Sequence, residues 1–379
     1  MMQSSGAGQS QGDLPFEVQT PSAGAAAHAL AAHALPAEPG AWDEMRTGQG
    51  QGEGEMRSLW QRFAQAMPTP ASGLDMATEL NRRAGMVKQR IRLDGVTHNV
   101  HSDAAGGGVA ARPWSLELLP LMIEAKDWST IVAGVTQRAE LLERMLTDLY
   151  GAQQLLKKGL MPSALLLRHK GWLRPMVGAQ PAGGQRLLIV AFDIARGPDG
   201  RWWLVAQRTQ GPSGLGYVLH NRLVIARQFP DAFRELRVQR IAASYRRLLD
   251  ALEQRAAQVA GSSTPRVVLL TPGPYSETYF EHAYLARYLG LPLVEGGDLT
   301  VRGQRLFLKT VEGLEPVHGV LRRLDDDWCD PVELLSGSGL GVPGLLQHFR
   351  HRRLARSQPG GGTRIQHVRH AAAYPIPAR

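Results

Sequence analysis

Apolar positions recur at three- and four-residue spacing in two well-separated stretches of the chain, and short apolar runs take over between and after them. Leu59, Trp60, Phe63 and Met67 fall on one face of a helix. A longer stripe made by Trp128, Ile131, Val132, Val135, Ala139, Leu142, Met145, Leu146 and Leu149 predicts the longest amphipathic helix. Past Gly159 and Pro162 the period shortens. Leu187 to Val190 and Trp202 to Ala206 read as strands, joined through the turn Gly197-Pro-Asp-Gly200 into a hairpin.

Residues 232–260 are rich in Arg, Leu and Ala and predict a helix that stops at the breaker Gly261 to Pro265. Val267 to Leu270 then reads as a buried strand, Glu277 to Leu289 as a helix ended by Gly290, and Pro292 to Glu295 as another strand. Strand, helix and strand in this order imply a parallel βαβ unit of the Rossmann type. Val301 to Lys309 predicts a hairpin around Gly303, and Gly319 to Leu324 a further strand before an acidic turn. Residues 1–40, mostly Gly, Ala, Ser, Gln and Pro, carry too little apolar surface to offset the entropy of ordering and are expected to be disordered.

Composition changes this picture in three places. The single cysteine, Cys329, excludes an internal disulfide and a cysteine-built metal site, which suits a reducing cytoplasm, the expected location. No apolar run long enough to span a membrane is present. The net charge of +9 is concentrated at the end: after Glu333 there is no acidic residue, and Gly344 to Arg379 holds seven arginines, leaving +2 for the rest. A nearly neutral body gives no reason to expect nucleic-acid binding, which would rest on the tail alone.

Several motifs carry candidate chemistry. Gly339-Leu-Gly-Val-Pro-Gly344 has the letters of a dinucleotide fingerprint, but Pro343 sits where a helix should offer N–H groups to phosphate, so it reads as a turn. His348 with His351 and His367 with His370 lack accompanying carboxylates and are not assigned a metal. Asp325, Asp326, Asp327 and Asp330 follow a strand bearing Arg322 and Arg323. Either the arginines clamp a carboxylate or phosphate, oriented by an aspartate, or the aspartates start a solvated helix. Thr271-Pro-Gly-Pro-Tyr-Ser-Glu277 lies between strand and helix, where α/β sheets place ligand loops, and a plain capped turn accounts for it equally well.

From Trp128 to about Gln347 these pieces form an ordered series: Gly134-Val-Thr-Gln-Arg138, Leu146-Thr-Asp-Leu-Tyr-Gly151, Phe192-Asp-Ile-Ala-Arg196, Pro212-Ser-Gly214 with Tyr217, Asn221 and Arg222, Thr271 through Phe280, and Leu321-Arg-Arg-Leu-Asp-Asp-Asp327. The series resembles the circularly permuted ATP-grasp proteins of type 2, relatives of glutathionylspermidine synthetase, with a fainter extension at Trp42-Asp-Glu-Met45. The resemblance implies an α/β fold in which a permuted ATP-grasp core of helices and antiparallel hairpins, residues 41–260, precedes a Rossmann-like pre-ATP-grasp unit, residues 261–347. It implies ATP-dependent joining of a small-molecule or peptide carboxylate to an amine through an acyl phosphate, with ATP and Mg²⁺ as cofactors. Carried over residue by residue, it assigns Arg322, Arg323 and Asp325 to catalysis and Thr271, Gly273, Tyr275 and Glu277 to substrate. Asp193, Arg208, Ser213, Asn221 and Arg222 go to the nucleotide, with Asp193 as metal ligand.

The chain departs from that pattern twice. Where the family commonly has Glu-Asp-Asn as magnesium ligands, this chain has Ala206-Gln-Arg208, close to a branch that reads Ala-Asp-Arg-Thr-Gln before Pro-Ser-Gly. After Gln347 the family's later lid half does not follow; residues 348–379 are expected to be an out-of-frame basic tail. The resulting expectation is a ligase-like protein, incomplete or inactive as this chain. The alternative is a non-catalytic module that recognises an acidic small molecule or peptide.

Overall fold

A computed structural model describes residues 23–348 except 35–36, 39, 48–53, 68–69, 71–73, 101–109, 170, 180, 182 and 262–263. The expectations for residues 1–22 and for the tail beyond His348 lie outside the described residues. The N-terminal layer holds α1 (Ala23–His33), α2 (Ser58–Gln65), α3 (Met76–Leu93) and the antiparallel pair β1 (Thr97–Val100) and β2 (Ala110–Pro113). Next come α4 (Ala125–Leu149), the short α5 (Gln154–Lys157) and α6 (Ser163–Leu167), and the hairpin β3 (Ala191–Arg196) and β4 (Trp202–Arg208). The second half runs α7 (Leu215–Gln228), α8 (Pro230–Glu235), α9 (Ala242–Ala260), β5 (Val267–Leu270), α10 (Tyr279–Leu289) and β6 (Leu293–Val294). It continues with β7 (Leu299–Arg302), β8 (Arg305–Thr310), β9 (Gly313–Pro316) and β10 (Gly319–Arg322).

The N-terminal core forms because α2 turns Trp60, Phe63 and Ala64 inward, and Phe63 meets Phe229 with ring centroids 5.1 Å apart. At the head of α3, the Asp75 side chain accepts the Thr78 N–H at 2.6 Å, satisfying one of the donors that a helix start leaves open. Part of the segment expected to be disordered is helical: α1 buries Ala26 and Leu30 against this core. Alanine-rich sequence has high helix propensity, and one well-placed leucine supplies the docking contact.

The parallel unit takes the predicted order, with β10 and β6 flanking β5 and α10 crossing between β5 and β6. All four residues of β5 are buried, as a strand covered on both faces requires. Gly290 ends α10 in a left-handed conformation at φ +71°. The β7–β8 hairpin turns at Gly303 as expected, and β9 adds a third strand that the sequence pattern did not reveal.

Two predicted elements differ. The hairpin begins later than expected, at Ala191, while Leu187, Ile189 and Val190 enter the core. The reason is local: the Glu143 carboxylate on α4 accepts the N–H groups of Arg186 at 2.8 Å and Leu187 at 2.6 Å, drawing this run away from the ladder. The single helix over 232–260 is two helices. Val238 N–H bonds Phe233 C=O at 2.9 Å, and Arg237 at φ +50° occupies the left-handed position that closes α8. α7 went unrecognised because it is buried on several sides and so shows no apolar stripe. Among the described residues no helix is long and apolar enough to cross a membrane.

Candidate functional site

The C-terminal edge of the β10–β5–β6 sheet brings together the loops that follow its strands. Ligands of open α/β sheets meet the protein at this kind of edge. After β10, Arg323 turns inward: its Nη2 donates to Glu281 Oε1 at 3.0 Å and its Nη1 to the Pro212 carbonyl at 2.8 Å. The side chains of Arg323 and Glu281 are 1% and 0% exposed, so this pair is closed to solvent. The other Glu281 oxygen accepts the Gly214 N–H at 2.7 Å, so the Pro212-Ser-Gly214 turn is held from both ends of one ion pair. Gly216 allows that approach, since a Cβ there would come within 2.8 Å of Glu281 Cγ.

Arg322 is likewise engaged. Its guanidinium bonds the Asp326 carboxylate, the Leu324 carbonyl and, at 3.1 Å, Cys329 Sγ. Burial pushes the Cys329 thiol up to about 11, which keeps it protonated and unreactive. In this arrangement both guanidinium groups bond the chain's own acceptors through their Nη atoms, while the buried Arg323 Nε has no hydrogen-bond partner. Asp326, not Asp325, reaches Arg322, and Asp325 is exposed.

In the loop after β5, Thr271 is buried and its hydroxyl lies 2.9 Å from His282 Nδ1 and accepts the Gly273 N–H at 3.2 Å. Thr278 Oγ1 sits 3.1 Å from the other ring nitrogen, so the imidazole is bracketed by two hydroxyls. Burial and the nearby Arg323 push the His282 pKa down to about 3, so the ring is neutral at physiological pH. Gly273, at φ +96°, passes close to the Glu295 carboxylate. Tyr275 and Glu277 project to solvent. Of the four expected substrate residues, Thr271 and Gly273 therefore shape the loop, while Tyr275 and Glu277 face outward.

The β3–β4 hairpin places Asp193 opposite Ala206, and Arg208 Nη2 donates to Asp193 Oδ2 at 2.6 Å. These two sequence candidates do meet, as an ion pair. The other three are elsewhere: Ser213 is exposed in its turn, Asn221 Oδ1 accepts from Trp114 Nε1 at 3.1 Å, and Arg222 lies 5.6 Å from the centroid of the Phe233 ring. Burial pulls the Arg222 pKa down. Asn221 and Arg222 thus lie against Trp114 and Phe233 of the helical layer, apart from the Asp193–Arg208 pair. Magnesium requires near-octahedral oxygen ligands. One carboxylate already paired with a guanidinium, facing a methyl group, does not fit it.

The anchor of this hairpin, Arg196, sits in the Phe192–Arg196 motif, which gave it no role. Arg196 donates to Glu44 at 3.1 Å and Asp127 at 2.7 Å, between the rings of Trp42 and Trp202 at 4.6 and 4.9 Å. Its partners are distant in sequence, so no spacing marked it. The Gly339 to Gly344 turn is held by buried Asp330, which accepts the N–H groups of Gly344 at 3.1 Å and Leu346 at 2.8 Å. No strand leads into it, although the chain turns helical at Leu345, so it is a turn and not a strand-to-helix phosphate loop. Among the described residues there is no group of three or more His, Cys, Asp or Glu side chains that could hold a metal ion.

Comparison with known proteins adds the following. The family model described as circularly permuted ATP-grasp type 2 matches residues 120–363, running past Gln347, where the sequence resemblance ended. The chain is 39% identical over 322 residues to an uncharacterised protein of Mycobacterium tuberculosis, covering 82% of this chain and 35% of that protein. A second M. tuberculosis protein is 35% identical over 310 residues, covering 82% of this chain and 53% of that one. A Synechocystis protein is 37% identical over 269 residues, covering 71% of this chain and 55% of its own length. The chain therefore spans 35–55% of the length of these relatives. Among solved structures, a glutathione synthetase-like effector of Globodera pallida in its apo form aligns with a TM-score of 0.43 at 16% identity, covering 76% of this chain and 67% of that one.

Proposed function

Because the chain belongs to the circularly permuted ATP-grasp type 2 family, we propose that it is a ligase-like scaffold related to ATP-dependent carboxylate–amine ligases and does not perform ligation by itself. The substrate classes of this reading are a small-molecule or peptide carboxylate and an amine, with ATP and Mg²⁺ as the cofactors that the family implies and the cytoplasm as location. Tyr275 and Glu277 form the surface that a substrate would meet.

The observation that supports it is the mutual neutralisation of the charged groups. Activating a carboxylate as an acyl phosphate gathers negative charge on adjacent phosphates, and catalysis needs cations aimed at that charge. Here Arg323 is spent on Glu281, Arg322 on Asp326 and Arg208 on Asp193. A module that binds an acidic ligand at the sheet edge would need the same free cations. Glu277, Asp325 and Asp327 are exposed there instead, and their negative charge opposes an acidic ligand.

The test is calorimetric titration with ATP and Mg²⁺, followed by phosphate-release assays with mixed carboxylate and amine substrates. No saturable heat and no phosphate release are expected. Magnesium-dependent ATP binding accompanied by release would overturn the proposal.

A further inference from the structure

We infer that the β3–β4 hairpin takes a guanidinium where a metal-dependent ATP-grasp protein takes a divalent cation, and that Ala206 and Arg208 are the residues that decide between the two. The inference uses family membership only for the expectation that a cation belongs on Asp193; it does not depend on whether the protein ligates anything.

Three features of the hairpin support it. Ala206 is the register partner of Asp193, so the position best placed to add a second oxygen ligand supplies a methyl group. Arg208, two residues on and on the same face, holds Asp193 Oδ2 at 2.6 Å and brings a permanent positive charge to the place a metal would occupy. Three further carboxylates on or against the hairpin are also arginine-bound: Glu44 and Asp127 by Arg196, and Asp199 by Arg201 at 3.4 Å.

The strength of the Asp193–Arg208 pair is not what excludes the metal. Its side chains are 43% and 58% exposed, and exposed pairs are weak. Exclusion follows from too few oxygen donors together with like-charge repulsion, and both causes sit in the same two residues.

Mn²⁺ serves as the probe, read by electron paramagnetic resonance as the loss of free-ion signal. The wild-type chain is expected to show no saturable binding in the millimolar range. The double variant Ala206→Glu with Arg208→Asn is expected to gain saturable binding at least about tenfold tighter than wild type, and adding Asp193→Asn is expected to remove it. Saturable binding by the wild type that disappears in Asp193→Asn overturns the inference. So does a double variant that keeps the wild-type circular dichroism spectrum yet gains nothing. The wild-type arm requires no variant to fold, and because no nucleotide is present, its outcome is separate from that of the ATP titration.

Discussion

The carboxylate of Glu281 and the guanidinium of Arg323, 3.0 Å apart and shut off from water, tie the end of β10 to the first turn of α10. Through the Pro212 carbonyl and the Gly214 N–H the same pair fixes the turn that starts α7. Three elements therefore converge on one buried ion pair, which makes it a structural joint at the sheet edge.

Removing one partner leaves the other charge buried and uncompensated. Glu281→Ala should destabilise the protein by about 3–5 kcal/mol. Replacing both, as in Glu281→Leu with Arg323→Met, should cost clearly less than the single change. Urea unfolding of the two variants provides the comparison. A single variant within about 0.5 kcal/mol of wild type would show that the pair is not the joint described.

Arg196 is held by two carboxylates and two indole rings at once. Lysine keeps the charge but loses the planar fork and most of the stacking. Arg196→Lys should therefore lower stability by about 1–2 kcal/mol and shift tryptophan fluorescence, because Trp42 and Trp202 lose the cation between them. An unchanged emission spectrum together with unchanged stability would remove the clasp from consideration.

Acid sensitivity should come in two stages. His282 titrates from 6.5 in the unfolded chain to about 3 in the folded one, because burial opposes its charge. Its neutral form is the one that the folded state favours, so this stabilisation is complete above pH 6.5 and lost as pH falls toward about 3. Glu79 is lowered from 4.5 to about 2, first by the hydrogen bond from Arg82 and then by Arg83. Its contribution is complete above pH 4.5 and lost as pH falls through about 2. Stability measured by denaturant titration should begin to fall below pH 6.5 in wild type. His282→Asn should flatten the upper stage and Glu79→Gln the lower one. Parallel pH curves for all three proteins would contradict both assignments.

The elements read correctly from sequence are those whose cause is local. Val267 to Leu270 is an uninterrupted apolar run, α10 is closed by Gly290, and α4 carries its stripe over many turns. The ordered motifs likewise identified the family, since a series of short matches in the right order survives changes at any one of them. That Ala206 offers no side-chain oxygen and Arg208 a fixed positive charge was equally visible, because both are properties of residue type.

What only the tertiary structure decided is where the charges go. Arg322 and Arg323 look like a clamp in sequence, yet the partner of Arg323 is 42 residues away and that of Gly214 is 67 away. Arg196 finds Asp127 across 69 residues and Glu44 across 152. Composition can count such groups and spacing can place them on an element. Whether a buried charge faces a ligand or another buried charge depends on packing between distant segments, because the cost of leaving it unpaired is set by the surroundings that the whole fold assembles.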